Sequence, residues 1–405
     1  VSRREAVRLL GLATGLGAVS ALDDSSELLA WLQGGTTGTQ NLRLPRGAII
    51  RTLLRDVQPE ALAGGATLFH EHLSINLPPA GGRGGQRGAP PAPGAAPTAG
   101  QPPPAQGAPA AGQAPPPGDG RGRQGGPPLP PVTDDVEMIL QLVNKAAGEG
   151  IGCIVDGGHR DMGTKLADLK TIAGRTKVHI VASGGYYMER TYPADLAAKS
   201  DDQIAEELAR EARDGRFGAF GEIGQNPNTP ELSLIERKVL RGIGKAHVRT
   251  GLPIFTHNSY GTGPMVPRGM GLQQLDVLES VGVRPEHITI GHTCCLDDPD
   301  VTVISEIARR GAFVGFDRVT TVQQIMPDEK KVAMVVAFLK AGHADKLLLS
   351  ADFTGQRTLE AGPGYGRTLT VFVPLLRKAG VSDQEIRTIM YDNPRRFLAF
   401  VPRKG

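Results

Sequence analysis

Two histidines one residue apart, His70 and His72, lie in the apolar run TLFHEHLSI with Glu71 between them. Side chains two apart on a strand share a face, so both imidazoles can be presented together. Residues of the same chemical kind recur at the ends of later apolar runs: Glu222 in FGEIG, His257 in FTHN, His292 in IGHT and Asp352 in LSAD. Four neutral nitrogen donors and two carboxylates suit borderline divalent metals, and a carboxylate can bridge two of them. Two such ions about 3.5–4 Å apart share a water and make it hydroxide near neutral pH. A lone strand histidine is usually a hydrogen-bonded core residue, and a lone strand-end aspartate usually caps a helix. Those readings do not account for six suitable residues, each at the end of its strand.

The elements that must position these groups follow from the apolar pattern. ATLFHEHL, GIGCIVDGG, VHIVASGG, FGAFGEIG, LPIFTHN, HITIGHT, GAFVGFD and KLLLSAD read as buried strands. Between them lie amphipathic stretches such as DVEMILQLVNKAAGEG, DDQIAEELAREARDG and SLIERKVLRGIGKAHVRTG, most of them ending in glycine as helix C-caps do. Eight strand–helix units predict a (β/α)8 TIM barrel, in which the C-terminal strand ends converge on one mouth. A doubly wound open sheet is the alternative, but no G-x-G-x-x-G follows the first strand. AIIRTLLRDVQPEAL, ahead of the first strand, is expected to form a small hairpin or lid at the barrel base.

Two segments stand apart. Residues 78–131 hold 17 Pro and 14 Gly in 54 positions, with Ala and Gln filling much of the rest. Such a composition buries no core and blocks helix and sheet pairing, which predicts a long disordered insert after the first strand. The opening VSRREAVRLLGLATGLGAVSAL pairs Arg3 and Arg4 ahead of a short apolar run. It reads as a twin-arginine signal over residues 1–21, implying a periplasmic or extracellular protein. Residues 22–45 then form a linker, with the single Trp31, and residues 46–405 the barrel. The apolar run is too short and glycine-rich for a membrane span.

Of the formal +3, residues 1–21 contribute +2 and residues 78–131 contribute +3, which leaves −2 on the remainder. A near-neutral folded part carries no footprint for nucleic acid. Three cysteines, Cys153, Cys294 and Cys295, two of them adjacent, make no disulfide framework.

H-x-H on the first strand, an anionic residue on the fourth, histidines on the fifth and sixth and an aspartate on the eighth resemble the amidohydrolase superfamily. TLFHEHL, IGHT followed by acidic residues, GFDR on the seventh strand and the closing NPRRFL resemble its phosphotriesterase family, from about Ile49 to Phe400. The resemblance implies His70, His72 and Asp352 on a more buried metal, His257 and His292 on a more exposed one, and Glu222 bridging both. It implies hydroxide attack on an ester-like bond of a small molecule, a carboxylic ester, lactone or phosphotriester, with Asp352 taking the proton. Arg318 falls where the family carries a substrate-facing His or Arg on the seventh strand, and Tyr187 where its lactonase-type members have a tyrosine near the metals. Zinc is the expected metal, with Mn, Co, Fe or Ni as alternatives, and a homodimer is compatible with the reading.

Two departures bear on substrate. Glu222 stands where the organophosphate hydrolases carry a carboxylated lysine. Cys295 stands where the triesterases place a relay aspartate, so the relay is either absent or taken by Asp297 or Asp298. The rival readings are an amide or phosphodiester hydrolase of the same superfamily, and a non-catalytic metal-containing binding protein. His159, after VDGG, either lines the pocket or serves its loop. His179, His247, His287 and His343 are assigned no chemistry.

Overall fold

The apolar runs become eight parallel strands: β1 (Ala66–Glu71), β2 (Ile151–Asp156), β3 (His179–Gly184), β4 (Ala219–Ile223), β5 (Ile254–Thr256), β6 (Ile288–Ile290), β7 (Phe313–Phe316) and β8 (Leu347–Leu349). Each pairs with its sequence neighbour, from β1 to β8 in order. The computed structural model describes residues 42–77, 135–226, 231–258, 268–296, 298–323, 326–354 and 364–403. The signal over 1–21, most of the linker with Trp31, the insert over 78–131 and Asp297 lie outside the described residues.

Helices fill the connections: α1 (Val136–Gly148), α2 (Leu166–Gly174), α3 (Asp201–Gly215), α4 (Leu234–Thr250), α5 (Met270–Glu279), α6 (Thr302–Arg309) and α7 (Asp328–Lys340). Their starts are chemically marked. Asp135 accepts from the Glu137 and Met138 amides, and Ser200 and Ser233 form reciprocal capping boxes with Gln203 and Glu236. Gly251 ends α4 at φ 83°, a conformation that costs glycine nothing.

The strands separate two apolar layers by alternation. Ile180, Ala182, Ile254, Leu347 and Leu349 pack with the helices, whereas Val181, Phe255 and Leu348 join the barrel interior. The expected hairpin is present: Ile50–Arg51 pairs antiparallel with Asp56–Val57. Its Ile50 and Val57 close one end of the interior together with Leu62, Phe397 and Leu398.

Closure between β8 and β1 depends on the residue between the two histidines. The Glu71 carboxylate accepts from the Ala351 amide at 2.9 Å, the Phe353 amide at 2.7 Å and the Ser350 hydroxyl at 3.0 Å. Backbone bonds from Asp352 to the His70 carbonyl (3.3 Å) and from His72 to the Phe353 carbonyl (2.9 Å) complete the seam. Burial lifts the Glu71 carboxyl to about 7 although these donors pull it down.

Candidate metal centre

Strict alternation along β1 would put His70 on the helix side, because Leu68 packs there and Phe69 joins the interior. The pairing of β1 with β2 is irregular between Leu68 and Glu71, and this bulge turns His70 inward beside Phe69. The His70 ring then lies 5.2 Å from Phe255 and 5.4 Å from each of His72 and His292. A second irregularity, between Phe220 and Ile223 on β4, brings Glu222 to the same point. Two glycines make room: a Cβ on Gly157 would lie 2.8 Å from the His70 ring, and one on Gly221 would lie 2.4 Å from Phe255.

All six residues meet at the mouth. Glu222 Oε1 lies 3.1 Å from His72 Nε2, while its Oε2 is 3.4 Å from His70 Nε2, 3.6 Å from His292 Nε2 and 3.9 Å from His257 Nε2. Asp352 Oδ1 is 3.2 Å from His72 Nε2 and 3.8 Å from His70 Nε2. Two groups of donor atoms, His70–His72–Glu222–Asp352 and Glu222–His257–His292, each fall within 4.8 Å and share Glu222. Among the described residues, His70 Nε2, His292 Nε2 and Glu222 Oε2 are buried with no hydrogen-bond partner. Buried polar atoms without partners are rare, and three aimed at one point fit a coordinated cation.

The electrostatics agree. Burial opposes charging Glu222, yet the neighbouring His70 and His257 hold its carboxyl well below the usual range. Burial likewise opposes protonation of His72, but Asp352 and Glu222 raise it to about 10. His257 is pushed down to about 3 by burial and by His292. The carboxylates thus draw positive charge onto His72, a place a divalent cation can take, while His257 is held neutral, the form in which an imidazole ligates a metal.

The sequence reading missed Asp317. Its Oδ2 accepts from His70 Nδ1 at 2.8 Å, and its Oδ1 accepts from His292 Nδ1 at 2.9 Å and the His292 amide at 2.7 Å. It therefore sets the tautomer of both histidines, leaving each Nε2 as the donor atom. The signal was the acidic residue directly before Arg318 in GFDR.

Arg318 Nε donates to Asp352 Oδ2 at 3.0 Å. The loop carrying it is held by Lys331, fully buried, whose ammonium donates to the Arg318 carbonyl at 2.7 Å and the Thr321 carbonyl at 2.8 Å. The Tyr187 hydroxyl lies 3.0 Å from His257 Nε2.

His159 serves the centre from behind. Its Nε2 donates to the Glu222 carbonyl at 3.0 Å, and its Nδ1 faces Asp161. Burial lowers its pKa, but Asp161 outweighs this and raises it.

The relay alternatives resolve differently. Asp298 is fully buried, pairs with Arg268 and caps α6 through the amides of Thr302, Val303 and Ile304, so it is a helix-capping residue. Cys295 is buried in the loop after His292, its amide donating to the His292 carbonyl at 2.9 Å. His247 also stays structural, its Nδ1 donating to the Leu252 carbonyl at 2.7 Å. Among the described residues, no helix is long and apolar enough to cross a membrane.

Comparison with known proteins gives the same picture. A profile of the phosphotriesterase family matches residues 50–398. The phosphotriesterase homology protein of Escherichia coli is 32% identical over 271 residues, covering 65% of this chain and 89% of that protein. The aryldialkylphosphatase of Saccharolobus solfataricus is 27% identical over 295 residues, 68% of this chain and 90% of that one. The N-acetyltaurine hydrolase of Rattus norvegicus is 27% identical over 286 residues, 66% of this chain and 79% of that one. The crystal structure of the Escherichia coli protein, with phosphate in its active site, superposes with a TM-score of 0.64 at 26% identity over 82% of this chain and 98% of that one. A barrel whose mouth gathers these histidines and carboxylates, matched along nearly its whole length, places the chain in the phosphotriesterase family.

Proposed function

We propose that this protein is a metal-dependent hydrolase of small molecules that holds two divalent ions and cleaves an ester-like bond, a carboxylic ester, lactone or phosphotriester. His70, His72 and Asp352 would hold one ion and His257 and His292 the other, with Glu222 shared. The observation that carries this reading is the shared position of Glu222 in both groups of donor atoms. Nitrogen and oxygen donors of this kind make zinc the expected metal. When bound, the ions supply Lewis acidity, polarising the scissile centre and acidifying a water.

The chain's own groups do the rest. The histidines and Glu222 are at most 2% exposed, whereas the Asp352 side chain is 14% and the Arg318 side chain 9% exposed. Substrate therefore approaches on the Asp352–Arg318 side. Asp352 takes the proton of the attacking water, and the Arg318 guanidinium at its Oδ2 keeps it ionised until then. Tyr187, beside His257, and Arg318 flank the reacting group and orient it. The proposal includes export by the twin-arginine route, supported by Arg3 and Arg4 ahead of an apolar run.

A second reading, amide hydrolysis at the same centre, is favoured by one observation. The N-acetyltaurine hydrolase of Rattus norvegicus matches at 27% identity, as high as the aryldialkylphosphatase of Saccharolobus solfataricus, so likeness supports an amide as well as an ester bond. The test is a metal count with a panel of an aryl ester, a γ-lactone, a phosphotriester, an N-acyl amino acid and a phosphodiester. The expected outcome is about two ions per chain and turnover of an ester, lactone or phosphotriester. His257→Ala should lower the metal content and abolish turnover. Unchanged metal and rate in that variant would refute the assignment.

A further inference from the structure

A cavity of about 370 Å³ lies beside the barrel, between the C-terminal ends of β2 and β3 and helices α2 and α3. None of the six residues at the mouth lines it. Its size is that of a small-molecule site, and its walls are mainly apolar: Leu166 and Leu169 from α2, Ala182 from β3, and Phe217 after α3. Gly184 and Gly215 lie so close to the Phe217 ring that a Cβ on either would approach it to 2.5–2.6 Å, so the wall is built flat around that ring.

The polar groups of the cavity differ in how fully they are already paired. Tyr186 is 2% exposed, lines the cavity, and its hydroxyl has no hydrogen-bond partner among the described residues. Glu211 and Asp214 line it from α3. Arg160, which lines it, reaches Glu211 at 3.4 Å and Glu207 at 3.5 Å with its side chain 67% exposed, while Glu207 is held by Lys199 at 2.5 Å, so the pairing of Glu211 is loose. A third carboxylate, Asp161, is turned to His159, Thr191 and the Tyr187 amide.

We propose that this cavity is a second ligand site, taking a small organic cation with an apolar body, such as an arylalkylamine. Its apolar part packs on Leu169 and Phe217, and its ammonium faces Glu211 and Asp214 within reach of the Tyr186 hydroxyl. The cavity is also wired to the mouth. His159 lines it and holds the Glu222 carbonyl, and Asp161 lines it and holds His159 and the Tyr187 amide. A bound cation shifts the Asp161–His159 pair and is felt at Glu222. This coupling rests on the proposed metal centre, whereas the binding itself does not.

The test uses the metal-loaded full chain with phenethylamine as probe and 2-phenylethanol as its uncharged counterpart, read by saturation-transfer NMR and calorimetry. Phenethylamine should bind, the alcohol should bind about three- to fivefold more weakly, and the Glu211→Gln/Asp214→Asn variant should lose the difference. Leu166→Trp, at the first turn of α2, should occlude the cavity and abolish binding in a protein of unchanged circular dichroism. No binding, equal binding of amine and alcohol, or binding that survives Leu166→Trp would each overturn the site. Occupancy should also change zinc affinity, measured against a chelator, by several-fold; binding with unchanged zinc affinity would overturn the coupling and leave the metal centre untouched.

Discussion

The two ends of the same barrel are built on opposite principles. At the base, Ile50, Val57, Leu62, Phe397 and Leu398 close the interior with apolar side chains. At the mouth, four histidines, Glu222, Asp317 and Asp352 are packed together in nearly complete burial. Each strand thus runs from a region that is cheap to bury to one that is costly to bury. The stability of the base tolerates the charge gathered at the mouth, a division of labour common to barrels of this kind.

The sharpest way to break the contrast is to make the mouth resemble the base. Glu222→Leu should lower kcat/KM by about a thousandfold or more and also lower the melting temperature of the metal-free protein, because removing one member of a buried charge cluster leaves the imidazoles facing it uncompensated. An unchanged or higher metal-free melting temperature would contradict this view of the mouth.

The converse change is Phe397→Ala at the base. Phe397 is fully buried and meets Phe313 edge-on at 5.8 Å. Its truncation should cost about 3–4 kcal/mol of unfolding free energy in denaturant, with kcat/KM unchanged in the folded protein.

Between these lies Asp317→Asn. An amide cannot accept from both Nδ1 atoms while keeping its charge, so metal affinity should fall by about 10–100-fold, read by chelator competition. An unchanged affinity would show that Asp317 serves only the fold.

The remaining expected effect is on pH. His247, near the base, is lowered to about 4 by burial despite its bond to the Leu252 carbonyl. A depressed histidine binds protons more readily when unfolded, so its contribution is full above about 6.5 and is lost as pH falls toward 4. His247→Gln should flatten the dependence of unfolding free energy on pH in that window by an amount on the order of 3 kcal/mol, with no change in metal content.

Much of this centre was legible in the linear chain, for physical reasons. Histidine and carboxylate at the end of an apolar run are costly to bury unpaired, so six such placements in register mark a site. Asp317 was not legible, because an aspartate ahead of Arg318 gains meaning only when it faces two Nδ1 atoms at once. Asp298 looked suited to proton transfer and proved to be a cap of α6. The adjacent tyrosines diverge, Tyr187 to His257 and Tyr186 to the lateral cavity, and in the sequence it was the family resemblance, not the chemistry of the pair, that singled out Tyr187.

The chain by itself determined the strand order, the helix starts and the chemical identity of the mouth, because residue type, period and capping are local. Only the tertiary structure decided where those residues point. The bulges on β1 and β4 override simple alternation, Glu71 becomes the clasp that closes the barrel, and Asp317 and His159 orient groups far away in sequence. These outcomes depend on contacts across tens to hundreds of residues, which no local preference encodes.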